Sequence, residues 1–388
     1  MASITSRTLA PIAIIGGGPC GLTFARLLEQ HKLDYVVFER DLNATPTSRY
    51  QGGTLDIHGP SGQQALKEAG LFQEFSALAR WDATRVCIQD ATGHIKSVFG
   101  EDRDAPEIDR LQLRNMLLDS IPAHKIRWGH GVKAVESKSG TAKSAADWVI
   151  RFINGTSASG FRLVVGADGA WSKVRSLLTS AKPEYSGKIF IEGRIPQGNP
   201  SYAAAKELAG PGNMLAMGKC KTLAVQQVAD SSYRLYMGMK TPEDRFPKAP
   251  SMADTEAMRQ EFLTSPEYYA DWAPELKQYL SNAEGPFYLG LRFSGTPPMF
   301  PRPSAGEGVN MAMHDALKLA RAIAKHCVVG SAAGEDEDAS LLERALVEYE
   351  KDMFERAQDH TTRCIEREGM FFADDSAQQL IDMITGAM

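Results

Sequence analysis

The 388-residue sequence is short of the features that mark metal, disulfide, membrane or nucleic-acid proteins. Its cysteines, Cys20, Cys87, Cys220, Cys327 and Cys364, are odd in number and scattered. No two stand in CxxC spacing, which argues against a zinc site or a disulfide framework and for reduced thiols. No stretch approaches the ~20 consecutive apolar residues of a membrane helix, and residues 1–11 hold no apolar segment of signal-peptide length. Positive charge is not in excess: 43 Lys and Arg stand against 48 Asp and Glu, a net charge of -5. Nothing therefore indicates a polyanionic partner such as nucleic acid. Internal repeats and low-complexity tracts are also missing. The expectation is a monomeric, cytoplasmic protein without a transmembrane segment.

What is present begins at residue 10. Residues 10–15 (Ala-Pro-Ile-Ala-Ile-Ile) are a short apolar run without polar alternation, as a buried parallel strand requires. Gly16-x-Gly18-x-x-Gly21 follows at once, and Leu22, Phe24, Ala25, Leu27 and Leu28 then mark an apolar helical face. Residues 35–38 read as a second buried strand, ending at Glu39-Arg40. A glycine triplet alone is a weak signal; after a strand, opening a helix, with an acid closing the next strand, it is a strong one. Gly16 permits the tight turn, Gly18 lets the backbone approach a pyrophosphate, and Gly21 lets helix and strand pack closely. The helix N-terminus then offers free N–H groups to the phosphates. Glu39 is placed to accept hydrogen bonds from an adenosine ribose, which favours FAD or NAD over NADP.

Beyond this unit, residues 62–71 and 114–121 have helical spacing, and Leu163-Val164-Val165 reads as another buried strand. Between about 181 and 285 apolar and polar residues alternate, as in Tyr233 to Met239, which predicts a sheet with one buried face. Glu335-Asp336-Glu337-Asp338 reads as a solvated loop, and Leu342, Leu346, Tyr349 and Met353 open a long helix.

Gly166-Ala167-Asp168-Gly169-Ala170-Trp171-Ser172-Lys173-Val174-Arg175 resembles the GADGxxSxVR segment of the aromatic-hydroxylase class of flavin monooxygenases. Ile108-Asp109-Arg110-Leu111-Gln112-Leu113-Arg114 is similar to that family's Arg-containing helix start. Ala305-Gly306-Glu307-Gly308-Val309-Asn310 resembles the helix start that cradles the flavin ring. Gly52-Gly53-Thr54-Leu55-Asp56-Ile57-His58 is most similar to the tetracycline-inactivating members. The resemblance implies an α/β fold: a Rossmann-like FAD-binding domain of three-layer β/β/α type, an inserted, mostly antiparallel substrate sheet, and a long C-terminal helix. The implied division is 1–179 and 286–328 for the FAD-binding domain, 180–285 for the inserted sheet, and 329–388 for the helical segment. It also implies FAD contacts from Gly16, Gly18, Gly21, Glu39, Arg40, Asp56, Arg114, Asp168, Gly306, Gly308 and Asn310, with Arg49 toward NADPH. The implied cycle consumes NADPH (or NADH) and O2 and oxygenates a small molecule through a flavin C4a-hydroperoxide. The flavin carries the chemistry, so no catalytic side chain is implied. His58 and His314 read as structural residues.

The sequence departs from the family in one place. The usual Gly-Asp-Ala-Ala-His segment, whose Asp holds the ribityl chain, is replaced by 291–303, a stretch with no acid and four prolines. Prolines make a poor strand where the family has one. Codons tcg ggg acg ccg ccc atg for Ser294 to Met299, read from each third base, would spell Gly-Asp-Ala-Ala-His. A misjoined exon or indel therefore accounts for the stretch as well as real divergence does; an uninterrupted transcript encoding Thr296 would exclude it.

Within the inserted sheet, Glu192, Met214 and Tyr236 stand where the tetracycline-inactivating relatives use Gln, Arg and His. Without that Arg and His, an aromatic or polyketide-like substrate is as well indicated as a tetracycline-like one. A flavin oxidase or dehydrogenase on the same fold, or a catalytically impaired flavoprotein, remains the alternative.

Overall fold

The computed structural model describes residues 10–45, 53–137, 148–245, 254–295, 307–327 and 335–386. The chain opens with β1 (Ile12–Ile15), α1 (Pro19–Gln30) and β2 (Tyr35–Phe38), the unit expected from the glycine motif. Pro19 sits in the first turn of α1, where its missing N–H leaves no bond unmade. Next come β3 (Thr54–Asp56), α2 (Gln64–Glu68), α3 (Phe72–Leu78), β4 (Val86–Asp90) and β5 (Ile95–Phe99). They are followed by β6 (Glu107–Asp109) and α4 (Arg110–Asp119). Helix α4 starts four residues ahead of the sequence expectation, because Gln112 Oε1 turns back to accept the Asp109 N–H at 3.3 Å. β7 (Ile126–Arg127), β8 (Val132–Ser137), β9 (Trp148–Phe152), β10 (Ser157–Ser159) and β11 (Leu163–Gly166) complete the first half.

Strands β11, β1, β2 and β7 form, in that order, a fully parallel sheet. Within β1, whose four residues are all buried, Ile12 and Ile14 point into the core shared with helices. Ala13 and Ile15 point the other way, onto the antiparallel sheet β10-β9-β8, where Phe38, Ile150 and Phe152 also pack. A continuous apolar run was the correct signature, since this strand is covered on both faces. The layers are therefore sheet, sheet and helix, the β/β/α arrangement.

The second half begins with β12 (Pro183–Ile195), α5 (Tyr202–Ala209), β13 (Asn213–Gly218), β14 (Lys221–Gln227) and β15 (Tyr233–Lys240). It continues through α6 (Thr255–Thr264), α7 (Pro274–Asn282) and β16 (Glu284–Gly295). The large sheet runs β16-β12-β15-β14-β13-β4-β5, antiparallel except between β13 and β4. It is not confined to 180–285: β4 and β5 come from the first half, and β16 carries the chain on to Gly295, short of the prolines. One face holds Ile189, Ile191, Met214, Val225, Leu235 and Met237 against α5, α6 and α7.

Helices α8 (Gly308–His326), α9 (Glu335–Phe371) and α10 (Ser376–Thr385) end the described chain. The acidic residues 335–338 are the first turn of the 37-residue α9 and not a loop. Carboxylates are favoured at a helix N-terminus, and Asp338 is further held by Arg162 Nη1 at 2.7 Å. Helix α9 lies along α8 through Arg356–Asp315 at 2.8 Å and Lys318–Asp352 at 3.3 Å. Beyond α8 it reaches the large sheet, where Glu368 meets Lys188 of β12 at 3.0 Å.

Candidate active site

The turn between β1 and α1 is shaped by its glycines in three different ways. Gly16 has φ of +112°, and a Cβ there would be driven into the Ala167 carbonyl. A Cβ on Gly21 would overlap the Gly16 carbonyl, so this glycine lets helix and turn close together. Gly18 has an ordinary φ of -85°, and a Cβ there would meet nothing within 4 Å. Its open side is the approach that a pyrophosphate needs, with the α1 N–H groups behind it.

Glu39 closes β2 and is buried. Its Oε2 accepts the Gly17 N–H and its Oε1 accepts the Asp41 N–H at 3.0 Å, so the carboxylate ties the glycine turn to the end of β2. Arg40 beside it is exposed. Asp168 follows β11 next to Gly16; its Oδ2 accepts the Lys173 N–H at 2.7 Å, while Oδ1 is buried without a hydrogen-bond partner among the described residues. An open glycine turn and a carboxylate oxygen awaiting a donor together fit a dinucleotide such as FAD.

Arg114 on α4 is almost wholly buried and points to the segment after β2. It bonds Asp41 Oδ2 at 3.0 Å and the Ala44 carbonyl at 3.1 Å, over the ring of Trp128. Asp41 has no spacing signature that sequence reasoning could have used. Asp56 at the end of β3 pairs through Oδ2 with His58 Nε2 at 2.9 Å, and that bond raises the His58 pKa.

Asn310, in the first turn of α8, spends its whole side chain on this segment. Its Nδ2 donates to the Asp56 carbonyl at 2.8 Å and its Oδ1 accepts the His58 N–H at 2.8 Å. It is thus a clamp between β3 and α8. Gly308 opens α8; Gly306 and Arg49 lie outside the described residues.

Just ahead of α8, Glu307 meets His360 Nε2 at 3.2 Å and Arg367 Nη1 at 3.3 Å, both from α9. The bond from His360 holds the Glu307 carboxyl down at about 2. Hydrogen bonding to Cys364, then to Glu307, lifts His360 to about 9. The acid next to the helix N-terminus is thereby neutralised by α9 across neutral pH, a coupling that no short motif could announce.

The β3–β6 ribbon lies on the second face of the large sheet. Asn213 and Gln226 both donate to the Glu107 carboxylate, at 2.9 and 3.2 Å, and Arg80 meets it at 3.2 Å. Gly53, before β3, leaves room for the Tyr236 hydroxyl, which a Cβ would strike. Tyr236 of β15 stands in register with Glu192 of β12, and Glu192 with Tyr288 of β16, so the three share this face. Glu192 and Tyr236 are therefore together beside the ribbon. Met214 is not with them: it is fully buried on the opposite face, in register with Val225 and Leu235. Side chains alternate along a strand, and the residue of β13 that shares the face of Tyr236 is Leu215.

Residues 10–191 match the family described as FAD binding domain. The monooxygenase asqM of Emericella nidulans is 28% identical over 411 residues, covering 90% of this chain and 92% of the relative. Among solved structures, Klebsiella pneumoniae HpxO complexed with FAD and uric acid has a TM-score of 0.74 at 19% identity. It covers 98% of this chain and 93% of its own. The tetracycline destructase Tet(55) has a TM-score of 0.70 at 17% identity, covering 98% and 96%. At these identities the two structures establish the fold. The glycine turn and the family match make the first half an FAD-binding domain. Its resemblance to monooxygenases over nine-tenths of its length makes the whole chain an enzyme, an FAD-dependent monooxygenase.

Proposed function

We propose that this enzyme uses NADPH (or NADH) and O2 to hydroxylate an aromatic or polyketide-like small molecule held between the β3–β6 ribbon and the large sheet. One observation carries this reading. The ribbon is bound on one side to the sheet face of Glu192 and Tyr236, and on the other, through Asn310, to the start of α8. A flavin cradled at α8 would therefore lie beside that face.

When bound, FAD would supply the redox chemistry and the activation of oxygen. The protein's own residues do the rest. Gly16, Gly18, Gly21 and the α1 N-terminus receive the pyrophosphate; Glu39, Arg114 and Asp168 line the path beyond it. Asp56 and the N-terminus of α8 border the ring site, where N–H groups aimed outward stabilise negative charge. The ribbon and sheet hold the substrate and exclude water. Tyr236 stands where the tetracycline-inactivating relatives have His, and Glu192 puts a carboxylate where they have Gln, which turns the reading toward aromatic substrates and away from tetracycline.

The experiment is oxidation of NADPH and of NADH by the FAD-loaded chain under 18O2, with a panel of phenols, naphthols and tetracycline. One labelled oxygen in an organic product is expected. Reduced-nicotinamide consumption with no label in any product would instead favour an oxidase or dehydrogenase.

A further inference from the structure

Glu192 is nine-tenths buried, yet its Oε1 has no hydrogen-bond partner among the described residues. The nearest cation, Arg234 Nη1, stops at 3.6 Å, beyond hydrogen-bond reach. A buried carboxylate oxygen without a donor is costly, and folded proteins keep few of them. This one is flanked in register by Tyr236 on one strand and Tyr288 on the other. The face thus offers two aromatic side chains with a carboxyl acceptor between them.

We infer that Glu192 selects the substrate, a neutral aromatic ring carrying an O–H or N–H donor that bonds its carboxylate between Tyr236 and Tyr288. This deepens the proposed function and rests on its reading of this face as the substrate wall. Aromatic acids are disfavoured, because a second carboxylate would stand against the first, and ethers leave Glu192 unpaired. Arg194 on its own strand, Arg234 and Tyr236 on β15, and Tyr288 on β16 are the groups that face it. Burial, partly opposed by Arg234 and Arg194, lifts the Glu192 carboxyl to about 7. The acceptor is therefore fully charged only above that pH.

Equilibrium dialysis of the full-length FAD-loaded chain with 2-naphthol, its methyl ether and 2-naphthoate tests this. 2-Naphthol is expected to bind at least about tenfold more tightly than the ether. Its advantage should grow as pH rises through about 7. Glu192→Leu should bind naphthol and ether alike. Glu192→Gln should keep part of the preference, lose its pH dependence, and admit 2-naphthoate. A wild-type chain without the preference, or binding none of the three, overturns the inference, as does a preference that survives Glu192→Leu. Failure of the monooxygenase reading shows separately, as absence of 18O in every product while the dialysis preference persists.

Discussion

Gly16→Val abolishes FAD uptake and destabilises the fold, whereas Gly18→Val loses FAD uptake alone. The contrast follows from the two backbones. At φ of +112° a β-branched residue is a genuine outlier, and its Cβ would collide with the backbone carbonyl of Ala167. Backbone strain of this kind costs about 1–3 kcal/mol and the forced displacement of a packed neighbour about as much again. A loss of roughly 2–6 kcal/mol is a large share of the stability of an ordinary domain. Gly18 has no such burden: its φ is ordinary and the space beside it is open, so a side chain there fits the protein and fills the pyrophosphate approach. Urea midpoints and retained flavin absorbance, measured on both variants, check the prediction. Equal stability of the two variants, or normal flavin in either, would refute this account of the turn.

Asn310→Ala is the second large effect. The side chain is 1% exposed and serves two backbone groups of one segment, the Asp56 carbonyl and the His58 N–H. Alanine leaves both without their partner at a cost of about 1–3 kcal/mol each, since an unmade buried hydrogen bond costs more than a made one gains. It also frees the β3–β6 ribbon from α8, so substrate and flavin sites should lose their mutual register. We expect a stability loss of about 2–4 kcal/mol by urea denaturation, with weaker FAD retention. Asn310→Asp keeps the acceptor for His58 but sets an oxygen against the Asp56 carbonyl, and should recover little. A shift below about 0.5 kcal/mol for Asn310→Ala, the size of an ordinary surface change, would mean that the clamp is not a structural tie.

The parts of this account legible in the sequence are those that local chemistry decides. Gly16, Gly18 and Gly21 sit within six residues of one another, and the turn they make is dictated by the backbone. The continuous apolar run of β1 and the periodic apolar stripe of α9 are likewise signals of short span. What was not legible depends on pairing across distance. Met214 and Leu215 are neighbours, and only the register with β14 and β15 decides which of them shares a face with Tyr236. The same holds for β4 and β16, which join the large sheet from segments remote in sequence. Asp41, Glu107 and His360 are tied to Arg114, Asn213 and Glu307 through contacts that span dozens of residues or more. The acids at 335–338 misled because a charged run reads as a loop until a helix dipole and Arg162 give it a place.

The central claim is that the glycine turn, Asp168 and the start of α8 form an FAD site in this chain as its sequence stands. The visible absorption spectrum of the purified protein, taken after adding FAD and removing the excess, tests it most directly. Flavin bands at close to one FAD per chain are the predicted result. A colourless protein would contradict the claim: this chain would then keep the family's fold without holding its cofactor.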